Sequence, residues 1–178
     1  MKFIYFIQKV KDKINVKLKS ILVRKIYFPK SKNLTILGKV KIRNKNIIIG
    51  DNVTLYNNVT FYGSGKIIIG DNVVIGDNTI IFSEKSIIIG NNSSIAANNY
   101  IIDCNHKVDK ELLINQQGLE MKEVMIGNDV WIGAGTYVLP GSQILDGCVI
   151  GANSTVNKML MKEFAIYAGC PVRYIKMR

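Results

Sequence analysis

The sequence predicts an all-β fold in which short strands wind into a parallel coil with flat faces and tight corners, and three observations predict it. The string Ile-Ile-Ile-Gly followed by Asp-Asn or Asn-Asn occurs at Ile47 to Asn52, Ile67 to Asn72 and Ile87 to Asn92, so that Gly50, Gly70 and Gly90 recur every 20 residues. Within these blocks a six-residue step runs through Ile49, Leu55 and Phe61, then Ile69, Ile75 and Ile81, then Ile89, Ile95 and Ile101. Each block is three such steps plus two extra residues. After an interruption the step returns without insertion through Ile126, Ile132, Val138, Ile144, Ile150 and Val156. A fixed internal period of this kind is the signature of a solenoid. A period of six cannot sit on a 3.6-residue helix stripe, but it suits a short strand and a turn with one aliphatic pointing inward each time.

The remaining positions fit that coil. Four residues after an aliphatic the side chain is usually small or β-branched, as at Val53, Val59, Val73, Thr79, Ser93, Val130, Thr136, Ser142 and Ser154. Gly50, Asn52, Gly76, Asn78, Gly90, Asn92, Gly127 and Asp129 crowd the corners, where Gly, Asn and Asp tolerate positive φ. Stacked coils bury one continuous apolar stripe, and the end coils need covers. The segment before the coils places Phe3, Phe6/Ile7, Val10, Ile14, Leu18 and Ile21/Leu22 at three- and four-residue steps with lysines between them. This predicts a basic amphipathic helix ending before Pro29. Residues 1–28 would either cap the first coil or make peripheral contact with an anionic membrane. Residues 107–122 carry no six-residue pattern and predict a protruding loop. The expected organisation is a helical segment over 1–33, the coil over 34–160 with its loop at 107–122, and a closing segment over 161–178.

Composition narrows the function. The chain has 178 residues, 48% of them apolar, which suits one domain. With 24 basic and 13 acidic residues, its formal charge of +11 favours a polyanionic partner such as nucleic acid, a phosphorylated cofactor, an acidic glycan or an anionic membrane face. Cys104, Cys148 and Cys170 are an odd number of thiols without a pairing pattern, so neither a disulfide framework nor a zinc site is expected, and a cytoplasmic setting fits best. Lys9, Lys11, Lys13, Lys17 and Lys19 interrupt the early apolar residues, so neither a cleavable signal nor a spanning segment is expected.

The strings Ile-Gly-Asp-Asn-Val, Val-Trp-Ile-Gly-Ala-Gly (Val130 to Gly135), Val-Leu-Pro-Gly (Val138 to Gly141) and Ile-Gly-Ala-Asn-Ser-Thr-Val (Ile150 to Val156) resemble the hexapeptide-repeat acyltransferases. Tyr167 to Arg173 is similar to that family's closing motif. The resemblance covers roughly Ile47 to Ile175 and is nearest the branch that acetylates sugars and cell-surface polysaccharides. It implies a left-handed parallel β-helix, a homotrimer with active sites between subunits, acetyl-CoA as co-substrate without a metal, and a carbohydrate acceptor rather than nucleic acid. A small acceptor such as an antibiotic, serine or amino sugar is the alternative.

The same resemblance assigns roles. His106, the chain's only histidine, stands at the start of the ejected loop, where the family places its general base. Imidazole suits removal of a hydroxyl proton near pH 7. Asn98 has the spacing of an acceptor-binding asparagine, although it also reads as a plain corner residue. Asp103 would orient the imidazole, hold an acceptor hydroxyl, or simply be a solvated turn acid. Trp131 would wall the acceptor pocket or pack between coils. Backbone N–H groups near Ala134 and Ala152 would hold the pantetheine arm, and Asn157, Lys158 and Arg173 would lie near the CoA nucleotide. Cys104 invites a covalent acyl-enzyme reading with His106 as activator; direct transfer in the family speaks against it. Asn99 puts an amide where a small residue usually faces inward, and the sequence offers no reason beyond proximity to the site.

Other classes fit less well. A zinc-dependent carbonic anhydrase on this fold needs several histidines. A sugar nucleotidyltransferase would need a nucleotide-binding domain that the first 46 residues are too short to house. A non-enzymatic β-helix scaffold would leave the His106 loop and the Trp131 motif without a purpose.

Overall fold

The computed structural model describes residues 2–178, with side chains described at Lys11 and from Ile14 onward. The readings placed on Phe3, Phe6, Ile7 and Val10 therefore lie outside the described side chains.

The strands form a parallel β-helix of about seven turns, consistent with the left-handed type. The first face stacks Thr35–Ile36, Thr54–Leu55, Val74–Ile75, Ser94–Ile95, Trp131–Ile132, Val149–Ile150 and Ala165–Ala168 in parallel, and Arg173–Met177 pairs antiparallel on the last of these. The second face runs from Val40–Ile42 through Val59–Tyr62, Ile80–Phe82, Tyr100–Ile102 and Tyr137–Val138 to Thr155–Val156. The third runs from Ile47–Ile49 through Lys66–Ile69, Ser86–Ile89 and Val124–Ile126 to Gln143–Ile144. The aliphatics of the six-residue step are the inward column: Leu55, Phe61, Ile75, Ile81, Ile101, Ile132, Val138 and Val156 have no exposed surface. Each such burial is worth roughly 1.5–3 kcal/mol. The small positions are buried beside them, with Val53, Val59, Val73, Thr79, Ser93, Thr136, Ser142 and Ser154 at 0% exposure.

Corner chemistry divides differently from the sequence expectation. Positive φ falls on Asn52, Asn58, Asn72, Asn78, Asn92, Asn98, Asp129 and Asn153, whereas Gly50, Gly76, Gly90 and Gly127 are not in that region. Those glycines serve close stacking instead. A Cβ on Gly76 would lie 2.6 Å from the carbonyl carbon of Ala96, and one on Gly90 would lie 2.6 Å from that of Gly127.

The helix Lys2–Tyr27 packs against the first strand of the coil, with Val23 set on the core. Ser20 Oγ accepts the Ile36 N–H at 2.8 Å, so an exposed sheet edge finds a partner. Phe28 is buried in the core beneath the helix end, and Arg24 donates to the Ser31 carbonyl at 3.1 Å. Arg24 and Lys25 in the last turn also complement the helix dipole.

The two extra residues of each 20-residue block lengthen the passage from the second to the third face, around the second corner at Gly63 to Gly65 and Ser83 to Lys85. The loop grows from this same corner in the fourth coil, after Tyr100–Ile102 and before Val124–Ile126.

Candidate functional site

The loop begins as a two-stranded ribbon. Cys104–His106 pairs antiparallel with Leu119–Met121, His106 opposite Leu119, and Lys107 N donates to Gly118 O at 3.1 Å. His106 is exposed and opens on a shallow depression of about 600 Å³ formed with Leu112, Leu113, Ile114 and Asn115. Gln117, only 7% exposed, organises the loop tip from within. Its amide donates to the carbonyls of Asp109 at 2.8 Å and Leu112 at 2.9 Å, and its oxygen accepts Asp109 N at 2.8 Å. Nothing in the sequence pattern singled out this glutamine, because its polar setting reads as solvated loop.

Asp103 is where the sequence expectation has to be corrected. The residue is fully buried, and its carboxylate accepts Ser83 Oγ at 2.7 Å and the backbone N–H groups of Glu84, Lys85 and Ser86 at 2.7–2.9 Å. Four donors occupy its lone pairs. It therefore neither orients the imidazole nor holds an acceptor hydroxyl; it fastens the loop root to the coil beneath. Cys104 is buried beside it, and burial first, then the Asp103 and Glu84 carboxylates, push its thiol up to about 11. A buried thiol kept protonated is a poor nucleophile.

A second set of residues gathers at the first corner, between the first and second faces. In the early coils each N–H of this corner is taken by a side chain of the next coil: Lys39 N donates to Asn57 Oδ1 at 2.9 Å, and Asn57 N to Asp77 Oδ1 at 2.9 Å. The series then continues with Ala97, Ala134 and Ala152, which have no side-chain acceptor. The N–H groups of Asp77, Ala97, Ala134 and Ala152 consequently have no acceptor among the described residues. Ala134 and Ala152 stand exposed in adjacent coils, with Asn153 N donating to Ala134 O at 2.8 Å. Glycine keeps this column tight, since a Cβ on Gly133 would lie 2.5 Å from Ala152 N.

Asn98 belongs to the same corner. It ends an amide ladder in which Asn58 donates to Asn78 at 3.1 Å and Asn78 to Asn98 at 3.0 Å. The next coil has Gly135 there, leaving the Asn98 amide nitrogen pointing to no described partner. Asn99 now has a reason: buried, it donates to Ala96 O at 2.7 Å and accepts Thr136 N at 2.8 Å, replacing the missing ladder contacts inside the corner. Trp131, 56% exposed on the first face, and Tyr137, 53% exposed on the second, stand on either side of this corner. The sequence reading passed over Tyr137, although it takes the outward position of a strand in the six-residue register. Tyr137 stands in register with Tyr100, their ring centres 6.2 Å apart, and Tyr100 shares a 3.0 Å hydroxyl bond with Tyr62 of the neighbouring column, whose ring stacks on Phe82 at 4.2 Å. Burial, then that bond, raises the Tyr100 phenol well above its ordinary value.

Lys158 and Arg173 meet at the C-terminal end. Both line one cavity of about 190 Å³ with Tyr174 and a further cation, Lys162, whose ammonium lies 4.2 Å from the Tyr174 ring centre. Asn157 is exposed beside Lys158.

The sequence-derived residues thus fall into separate groups. Asn98, Ala134 and Ala152 share the first corner flanked by Trp131; Lys158 and Arg173 share the end cavity; His106 stands on the loop at the second corner. Six residues of strand and turn separate Ala97 from Asp103, on the order of 20 Å of extended chain. His106 thus follows the second corner, with the second-face strand Tyr100–Ile102 between it and the free amides of its own coil.

Comparison with known proteins gives consistent matches. Residues 123–158 match the bacterial transferase hexapeptide (six repeats) model, and residues 66–102 match the hexapeptide repeat of succinyl-transferase. A probable macrolide acetyltransferase of Lysinibacillus sphaericus is 48% identical over 56 residues, 32% of this chain and 31% of that protein. The chain spans 31% and 26% of the lengths of the two curated relatives it matches. Among solved structures, AntD, an N-acyltransferase from Bacillus cereus in complex with dTDP and 3-hydroxybutyryl-CoA, superposes with TM-score 0.77 at 27% identity over 88% of this chain and 86% of that one. A maltose O-acetyltransferase from Clostridium difficile gives TM-score 0.56 and 31% identity over 83% of this chain and 67% of that one.

Proposed function

This chain belongs to the bacterial hexapeptide-repeat transferase family, and we propose that it moves an acetyl group from acetyl-CoA to a hydroxyl of a sugar in a cell-surface polysaccharide or its precursor. The observation that carries the reading is the broken ladder at the first corner. Free N–H groups at Ala97, Ala134 and Ala152 in successive coils form an edge suited to the amide-bearing pantetheine arm. Lys158, Lys162 and Arg173 supply the cations that CoA phosphates require, charge-assisted bonds being the strong ones.

In this reading His106 accepts the proton of the acceptor hydroxyl as the hydroxyl oxygen attacks the thioester carbonyl. An N–H of the first corner donates to the oxyanion that forms, where such donors matter most. The C–S bond then breaks and CoA leaves as thiolate, taking up a proton. Cys104 takes no part. Since His106 and the free amides of one chain lie a face apart, the reading needs the loop of one copy set against the first corner of another, as in a trimer with shared sites. Asn98, Trp131 and Tyr137 would then wall the acceptor.

A second reading, transfer to an amino sugar, is favoured by the likeness to AntD, an N-acyltransferase solved with a dTDP-linked 4-amino sugar. Incubation with acetyl-CoA and a panel of neutral and amino sugars, free, nucleotide-linked and lipid-linked, separates them. O-acetyl product on neutral sugars supports the first; amide product alone replaces it with the second; no thioester consumption with any acceptor removes both.

A further inference from the structure

The N-terminal helix has two faces, and the coil uses only one. Toward the coil it presents Ser20, bonded to the first strand, and Val23, packed on the core. Away from it, Ile14, Leu18, Leu22 and Ile26 stand 53%, 56%, 59% and 69% exposed. Their four-residue spacing makes a continuous apolar stripe on the helix surface. Lys11 and Lys25 project on this same side at helical spacing, both exposed. On the flank nearest the coil, Lys17, Arg24 and Lys32 line a cleft of about 800 Å³ between helix and first coil. Across Lys2–Tyr27 the sequence carries Lys2, Lys9, Lys11, Lys13, Lys17, Lys19, Arg24 and Lys25 against the single acid Asp12.

An exposed apolar stripe set among cations has two chemical requirements, apolar cover and negative charge. We infer that this outer face docks on an anionic lipid bilayer, the helix lying in the interface plane while its inner face stays on the coil. Apolar side chains entering the headgroup boundary and lysines at its rim are the physics of interfacial helices. No helix among the described residues is long and apolar enough to cross a membrane, which suits a helix that lies on the surface rather than through it. A second copy of this chain is the competing occupant, and charge decides against it: two faces each rich in lysine and nearly free of acid repel when paired.

The test uses the full chain and vesicles, without acyl donor or acceptor, so its outcome is separate from the transferase reading. Sedimentation with phosphatidylcholine vesicles containing phosphatidylglycerol should pull the protein down, pure phosphatidylcholine should not, and added salt should weaken the binding. Leu18→Asp with Leu22→Asp should lower the partition coefficient at least about tenfold. Lys11→Gln with Lys25→Gln should lower it less. Leu22→Trp keeps the outer face apolar and offers an independent readout in a chain whose only other tryptophan is Trp131: its emission should shift to the blue on anionic vesicles. An unshifted spectrum, undiminished binding by a folded double aspartate variant, or a fall in oligomeric mass in that variant would each overturn the docking, the last by giving the face to a second copy.

Discussion

The first and third corners of the coil start alike and end differently. At the third corner, between the third and first faces, a side-chain ladder answers five backbone N–H groups in successive coils: Lys32 to Asp51, Asp51 to Asp71, Asp71 to Asn91, Asn91 to Asn128 and Asn128 to Asp146, all at 2.6–2.8 Å. At the first corner the same device operates through Asn57 and Asp77 and then stops at three alanines. A repeat that already holds a means of satisfying its turn amides, and discards it in successive coils on one edge only, has left donors free for something else. Turn amides without an intrachain partner are costly where buried and useful where a ligand reaches them.

Breaking the working edge and its neighbours should have graded effects. The largest belongs to His106, which stands apart from the first corner. His106→Ala should lower turnover about 10²–10⁴-fold while CoA affinity, measured by calorimetry, hardly moves. Arg173→Ala should raise the CoA dissociation constant roughly 10–100-fold and flatten its dependence on salt, because a charge-assisted phosphate contact is lost. Rebuilding the ladder is the sharper manipulation. Ala152→Asp offers the Ala134 N–H the carboxylate that Asn57 finds in Asp77, and should weaken CoA binding roughly tenfold without lowering the melting temperature. At the third corner the pattern inverts: Asp71→Ala should cost about 1 kcal/mol in denaturant unfolding and leave CoA affinity alone.

Cys104→Ala should have the smallest effect on catalysis, with near-normal turnover and no acetylated enzyme by intact mass. It should act instead on alkaline stability. With the folded thiol raised to about 11, the unfolded chain loses this proton first as pH rises past the ordinary thiol range. The contribution is complete below about pH 9 and is lost between there and about 11, so Cys104→Ala should flatten that part of the unfolding curve.

Much of the fold was legible because six-residue spacing leaves few alternatives: the inward column from Ile49 to Val156 is buried as the register requires. The loop was legible as an interruption, and the reason for its position lies in the second corner, which already accepts two extra residues per block. The candidate site was legible unevenly. His106 and the alanines came from motifs, but motifs do not reveal that the alanines leave amides free, since that depends on which residue sits one coil away. Asp103 was misread because a carboxylate next to a loop looks solvated in sequence, and only the stacked turn from Ser83 to Ser86 turns it inward. Tyr137 and Gln117 escaped for the same reason: their partners are coils or loop turns away.

A site shared between copies, with His106 from one chain and the free first-corner amides from another, is tested most directly by hybrid assembly. His106→Ala and Ala152→Asp variants, each impaired alone, are co-expressed with different tags, and assemblies carrying both tags are purified and assayed. In a cyclic trimer every assembly carrying both tags has an intact histidine facing an intact corner at one of its three sites, so activity should recover toward about a third of the unmodified protein's. Mixed assemblies with no more activity than the two parents averaged would contradict the shared site and return both elements to a single chain.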